Sequence, residues 1–205
     1  MKLKVCGMRE AENCAKVAAL QPDYMGFIFY APSPRYVATQ TPNIPHTIIK
    51  TGVFVDASLD YVVDTLKEHQ LQAVQLHGSE NPAFCSYIKS LGVEVIKAFG
   101  VGQHFDFKQL ESYLEACTYF LFDTQTPAKG GSGKKFDWSL LQDYPYSKPF
   151  FLSGGIGPND LQALKELKKS ALPLYALDVN SKFETAPAKK DSNALSLFKH
   201  QLDDL

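Results

Sequence analysis

The chain has 205 residues, 45% of them hydrophobic, and a formal net charge of -1. That length holds one α/β core and lies near the lower end for an eight-fold β/α barrel. The balanced charge excludes a global field for nucleic acid, so an anionic substrate has to be held by local groups. Cys6, Cys14, Cys85 and Cys117 form no Cys-x-x-Cys pair and no zinc spacing, which argues against a metal site or a disulfide framework. No apolar run is long enough to cross a bilayer, and Met1-Lys2-Leu3-Lys4-Val5 lacks the apolar centre of a signal peptide. The expectation is a cytoplasmic protein with neither nucleic acid nor membrane as a partner.

Strand and helix patterns alternate along the chain. Residues 3–6 form a first predicted strand, and 10–20 carry a helical pattern. A second strand covers 24–29; the following stretch, 39–46, contains Pro42 and Pro45 and makes a poor helix. Residues 47–55 are a third strand, after which Ser58 stands at the N-cap of a helix over 59–66. A fourth strand, 73–76, precedes a helix with Pro82 near its start. The fifth strand is 94–99, followed by a short helix over 107–116. Residues 119–122 are the sixth strand; a glycine-rich loop (129–135) and a short helix from Trp138 come next. The seventh strand, 150–152, leads to a helix over 159–169, and the eighth, 175–179, to a helix over 192–202. Eight alternations predict a single (β/α)8 TIM barrel over residues 1–205, although a doubly wound sheet would alternate as well.

In such a barrel the C-terminal strand ends carry the chemistry. Those ends supply Cys6, Arg35 in a Ser33-Pro34-Arg35-Tyr36 loop, Asp56, His77, Asp123, Gly154-Gly155 and Asp178. Cys6 shares a strand face with Lys4, whose ammonium favours a thiolate able to act as base or nucleophile. An inert buried cysteine is the equal alternative. Asp123 follows four apolar residues, where burial suits a general acid; a turn carboxylate fits that position too. Pro32 and Pro34 stiffen the loop around Arg35, whose guanidinium suits a carboxylate. Gly154 and Gly155, between a strand end and a helix start, make a phosphate cradle. Asn180 and Ser181 offer it further donors. His77 touches substrate or braces a loop, and Asp178 balances a lysine inside the barrel or aids substrate. The glycine-rich loop is no P-loop, because Ala128 and Lys135 stand where glycine and Ser or Thr are needed. A lid over the barrel mouth, or a plain flexible loop, is what remains.

Taken in order, these pieces resemble a family. They are Lys4-Val5-Cys6-Gly7, Gly26-Phe27-Ile28-Phe29 with Ser33-Pro34-Arg35-Tyr36-Val37, and Val74-Gln75-Leu76-His77-Gly78. Phe122-Asp123 with Gly131-Ser132-Gly133 and Phe136-Asp137-Trp138 follows, then Ser153-Gly154-Gly155, then Asp178 with Ser181 and Glu184. Together they resemble the phosphoribosylanthranilate isomerases of tryptophan biosynthesis, from Lys2 to about Phe198. The resemblance implies a cofactor-free barrel, monomeric or homodimeric, that performs an Amadori rearrangement on a phosphorylated small molecule. By motif it makes Cys6 the general base and Asp123 the general acid. It assigns Arg35 to the substrate carboxylate and Gly154, Gly155 and Ser181 to the phosphate, with His77 and Asp178 among the substrate-binding residues. Lys182 and Ala188 depart from the pattern, standing where glycine is usual. A histidine-pathway phosphosugar isomerase, which is expected to carry aspartate at position 6, and a non-catalytic phospholigand-binding barrel are the alternatives.

Overall fold

The computed structural model describes residues 1–125 and 135–204, so most of the glycine-rich loop lies outside the described residues. Eight parallel strands close on themselves in sequence order: β1 (Lys2–Val5), β2 (Tyr24–Ile28), β3 (Ile49–Phe54), β4 (Ala73–Leu76), β5 (Glu94–Val101), β6 (Tyr119–Thr124), β7 (Phe150–Leu152) and β8 (Leu174–Val179). The barrel shuts where β1 pairs β8, with Lys4 beside Asp178. The doubly wound alternative is thereby excluded.

Helices α1 (Ala11–Ala18), α2 (Leu59–Glu68), α3 (Pro82–Ser90), α4 (Leu161–Lys169) and α5 (Ser192–Asp203) cover the outside. Their starts follow local chemistry. The Ser58 side chain accepts the Tyr61 amide, and Asn81 accepts the Phe84 amide one residue before Pro82. The crossover from β2 to β3 contains no helix, as the two prolines predict. The two short predicted helices tighten into 3-10 turns, Phe107–Tyr113 and Trp138–Asp143, each opened by an aspartate accepting a backbone amide. A two-stranded hairpin, β9 (Glu184–Ala186) with β10 (Lys189–Lys190), follows β8 and was not foreseen.

The core has two compartments. One lies between strands and helices; the other fills the barrel axis with Tyr24, Ile96, Ala98, Leu121, Phe151 and Ala176. Because side chains alternate, the positions two residues further along the same strands continue the interior upward. There the filling turns polar, and the site begins.

Candidate active site

Lys4 is fully buried on β1 and makes two polar contacts across the barrel. Its Nζ donates to Asp178 Oδ1 at 2.9 Å and to Gln75 Oε1 at 2.6 Å. Gln75 Nε2 in turn lies 2.8 Å from His77 Nδ1, and His77 Nε2 lies 3.2 Å from Asp123 Oδ2. A chain of polar contacts therefore runs Asp178–Lys4–Gln75–His77–Asp123, from β8 to β6 through the barrel interior, hydrogen-bonded as far as His77 and completed by the 3.2 Å approach of His77 to Asp123. Of its members, His77, Asp123 and Asp178 were expected at the site. Gln75 was missed, although it precedes His77 by two and so shares its face.

Electrostatics follow from burial. Burial alone presses Lys4 toward the neutral amine, but Asp178 and Cys6 together more than reverse this and raise its pKa. Burial also lifts the Asp178 carboxyl above the ordinary carboxylate range, against the pull of Lys4. Cys6 stands directly after β1, buried, with its Sγ only 2.8 Å from where a Cβ on Gly26 would stand. Only glycine fits opposite this thiol. Burial pushes the Cys6 pKa up, and the nearby Lys4 and Lys190 cations offset that only in part. Lys4 acts in the direction expected from the sequence, favouring the thiolate, but desolvation outweighs it. The other three cysteines are pushed up by burial as well, Cys14 and Cys85 to about 12 and Cys117 to about 11.

Arg35 reaches the same mouth from the β2 loop. What fixes it is less the flanking prolines than Glu184, which accepts from Arg35 Nε at 2.9 and 3.1 Å and from Nη2 at 2.6 Å. This fork is bidentate and its two side chains are only 11% and 5% exposed. Glu184 also pairs with buried Lys190, whose Nζ donates to Asn180 Oδ1 at 2.7 Å. Burial pushes the Glu184 carboxyl up, but Arg35 and Lys190 together hold it below its ordinary value. Gly7, at φ +73, lets the backbone pass between these groups; a Cβ there would lie 2.6 Å from both Arg35 Cδ and Asn180 Oδ1.

At the end of β7 the chain turns through Gly154 (φ +92) and Gly155 (φ +69), conformations that favour glycine. A Cβ on Gly154 would stand 2.4 Å from Thr124 Oγ1 and 3.1 Å from Asp123 Oδ1, so the cradle and Asp123 are immediate neighbours. Ser181 opens a 3-10 turn, Ser181–Phe183, after β8, and Lys182 Cβ lies 3.3 Å from where a Cβ on Gly157 would stand. Lys182 has no left-handed backbone, so a side chain is accommodated there; Ala188 does have one, at φ +63 in the hairpin turn. Asp56, at φ +50, braces the β4 loop: its Oδ1 accepts from Ser79 N and Ser79 Oγ, both at 2.6 Å.

The fold and this mouth define a parallel β/α barrel enzyme class, with a buried thiol and a carboxylate held among cationic anchors and a glycine turn. A family model described as N-(5'phosphoribosyl)anthranilate (PRA) isomerase matches residues 3–201, and the chain belongs to that family. The N-(5'-phosphoribosyl)anthranilate isomerase of Phocaeicola vulgatus is 43% identical, covering 98% of each chain. Among solved structures, the phosphoribosyl anthranilate isomerase of Thermus thermophilus superposes with a TM-score of 0.88 at 27% identity, covering 100% of this chain and 99% of that one. A phosphoribosyl anthranilate isomerase in complex with reduced 1-(o-carboxyphenylamino)-1-deoxyribulose 5-phosphate matches with a TM-score of 0.82 at 30% identity, over 100% of both chains.

Proposed function

We propose that this chain isomerises N-(5-phosphoribosyl)anthranilate to 1-(2-carboxyphenylamino)-1-deoxyribulose 5-phosphate in tryptophan biosynthesis, by general acid and base catalysis from Asp123 and Cys6. The observation that carries the mechanism is the meeting of Asp123, at the end of β6, with a chain of polar side chains whose Lys4 also neighbours Cys6. Asp123 donates its proton to the ribose ring oxygen as the C1–O bond breaks, leaving a protonated imine. The Cys6 thiolate then removes the C2 proton, and the released electron pair forms the C1–C2 double bond of an enolamine. Gain of a proton at C1 and loss of one from the C2 hydroxyl give the ketone. Solvent exchange returns Asp123 and Cys6 to their starting forms.

The two ends of the substrate suit the two anchors. Glu184 occupies the Nε edge of Arg35, which leaves the Nη1–Nη2 edge for the anthranilate carboxylate. The Gly154-Gly155 turn and Ser181 suit the phosphate. Holding both ends orients C1 and C2 between acid and base. Four free, buried cysteines support a reducing cytoplasm as the compartment.

The test follows the loss of anthranilate-type fluorescence on mixing protein with freshly made phosphoribosylanthranilate. The expected result is rapid loss, slowed by about 10²–10⁴-fold in Cys6→Ala and in Asp123→Asn. Wild-type loss no faster than spontaneous breakdown would overturn the activity. Undiminished turnover in either variant would overturn that residue's role.

A further inference from the structure

We infer that Gln75 is a positioning residue which holds His77 as the neutral Nε2–H tautomer beside Asp123. The inference rests on Asp123 being the acid, as proposed above, and it comes from counting donors. An ammonium has hydrogens to give and nothing to accept with. Lys4 Nζ, 2.6 Å from the Gln75 side-chain oxygen, therefore fixes which way that amide points. The amide nitrogen is then turned to His77 Nδ1 at 2.8 Å, and Nδ1 has to accept. The ring proton is left on Nε2, which lies 3.2 Å from Asp123 Oδ2.

An imidazolium carries hydrogens on both nitrogens. It would set an N–H against the Gln75 amide N–H, and flipping the amide would only move the conflict to Lys4. The other charged or titratable groups facing this segment of the network are Asp123 from β6, Asp178 from β8, and Lys4 and Cys6 from β1. Lys97 on β5 is engaged elsewhere, with Glu80 and the Gly78 carbonyl. Asp123 and Asp178 favour a charged ring, so the amide lock opposes them. Gln75 is 1% exposed, which leaves little room for solvent to relieve the conflict.

The tautomer is read directly from long-range ¹H–¹⁵N spectra of uniformly labelled enzyme. Five histidines are present, and His77→Asn assigns the resonance. The expected wild-type pattern is a protonated Nε2 and an unprotonated Nδ1 through neutral pH. A ring that is doubly protonated there, or protonated on Nδ1, would overturn the inference without any variant needing to fold. Gln75→Glu supplies the second readout, because its carboxylate accepts from Nδ1–H and permits the imidazolium. In that variant both ring nitrogens become protonated, and the alkaline limb of kcat moves down by about one pH unit, because the ring's new positive charge beside the acid disfavours its protonated form. KM changes far less than kcat. An unchanged ring spectrum and an unchanged pH profile in Gln75→Glu would also overturn it. Full activity in Asp123→Asn would remove the acid role itself, whereas the ring spectrum judges the amide lock separately.

Discussion

Cys6 is pulled two ways by its neighbours, and the balance has a kinetic signature. Burial raises its pKa; Lys4 and Lys190 lower it, Asp178 raises it further, and the net direction is upward. A raised pKa means that the thiol form dominates at neutral pH and the basic form grows as pH increases. For free enzyme, the reactivity of the Cys6 sulfur therefore climbs about tenfold per pH unit through neutrality and levels off only above the usual thiol range, near 8.5. Alkylation of Cys6 by a small reagent, followed by mass spectrometry, traces the same limb. A rate that is flat across neutral pH would show a thiolate already formed. The sequence reading found the right pair, because alternation along one strand puts Lys4 and Cys6 on one face. It had Lys4's effect in the right direction but not the larger effect of burial, because the depth to which a barrel buries that face is set by seven other strands. Gln75 was equally readable by alternation from His77. Its meaning depended on Lys4 arriving from a strand 71 residues away.

At the scale of elements, the strands and the longer helices were legible from their hydrophobic pattern, and three of the helices carry their own punctuation as well. Ser58, Asn81 and Asp191 all cap helices with side-chain oxygens, and α5 shows the strongest case. Asp191 Oδ1 accepts the amides of Asn193 and Ala194, both at 3.0 Å. Asp191→Ala leaves those amides without that partner and is expected to lower stability by about 1–2 kcal/mol. Urea titration checks this: the midpoint falls while the slope is unchanged, since the surface exposed on unfolding is the same. A loss below about 0.3 kcal/mol would mean that water replaces the cap at no cost. The β9–β10 hairpin escaped the sequence reading because three residues against two carry no period. Yet the departure noticed there has a structural reason. Ala188 takes a left-handed backbone in the hairpin turn, the conformation that glycine adopts without strain. The hairpin also delivers Glu184 and Lys190, so a short element with little signal of its own sets the posture of Arg35.

Across the whole molecule, the barrel interior is divided by height. Near the strand starts, Tyr24 donates to Glu94 at 2.9 Å, Tyr119 stacks on Tyr175 with centroids 4.5 Å apart, and Phe151 packs edge-on to Tyr24. This aromatic plug is filled volume and serves stability. Above it, β1, β4, β6 and β8 give inward positions to Lys4, Gln75, Asp123 and Asp178, groups that a purely stabilising core would replace with apolar ones. Lys4 and Asp178 also face each other across the β1–β8 seam that closes the barrel, with side chains 0% and 5% exposed. Breaking that pair from one side isolates a buried carboxyl and strips Gln75 Oε1 of its donor. Lys4→Met is accordingly expected to cost about 3–5 kcal/mol. Lys4→Met combined with Asp178→Leu recovers most of that loss, because a pair of apolar side chains removes both desolvation penalties together. Urea denaturation of the four proteins in the cycle measures the coupling. If the double variant is no more stable than Lys4→Met, the ion pair stabilises the seam beyond what packing replaces. If it recovers while turnover stays low, the charge at the seam is kept for the polar chain leading to Asp123, at a cost in stability that the aromatic layer beneath it offsets.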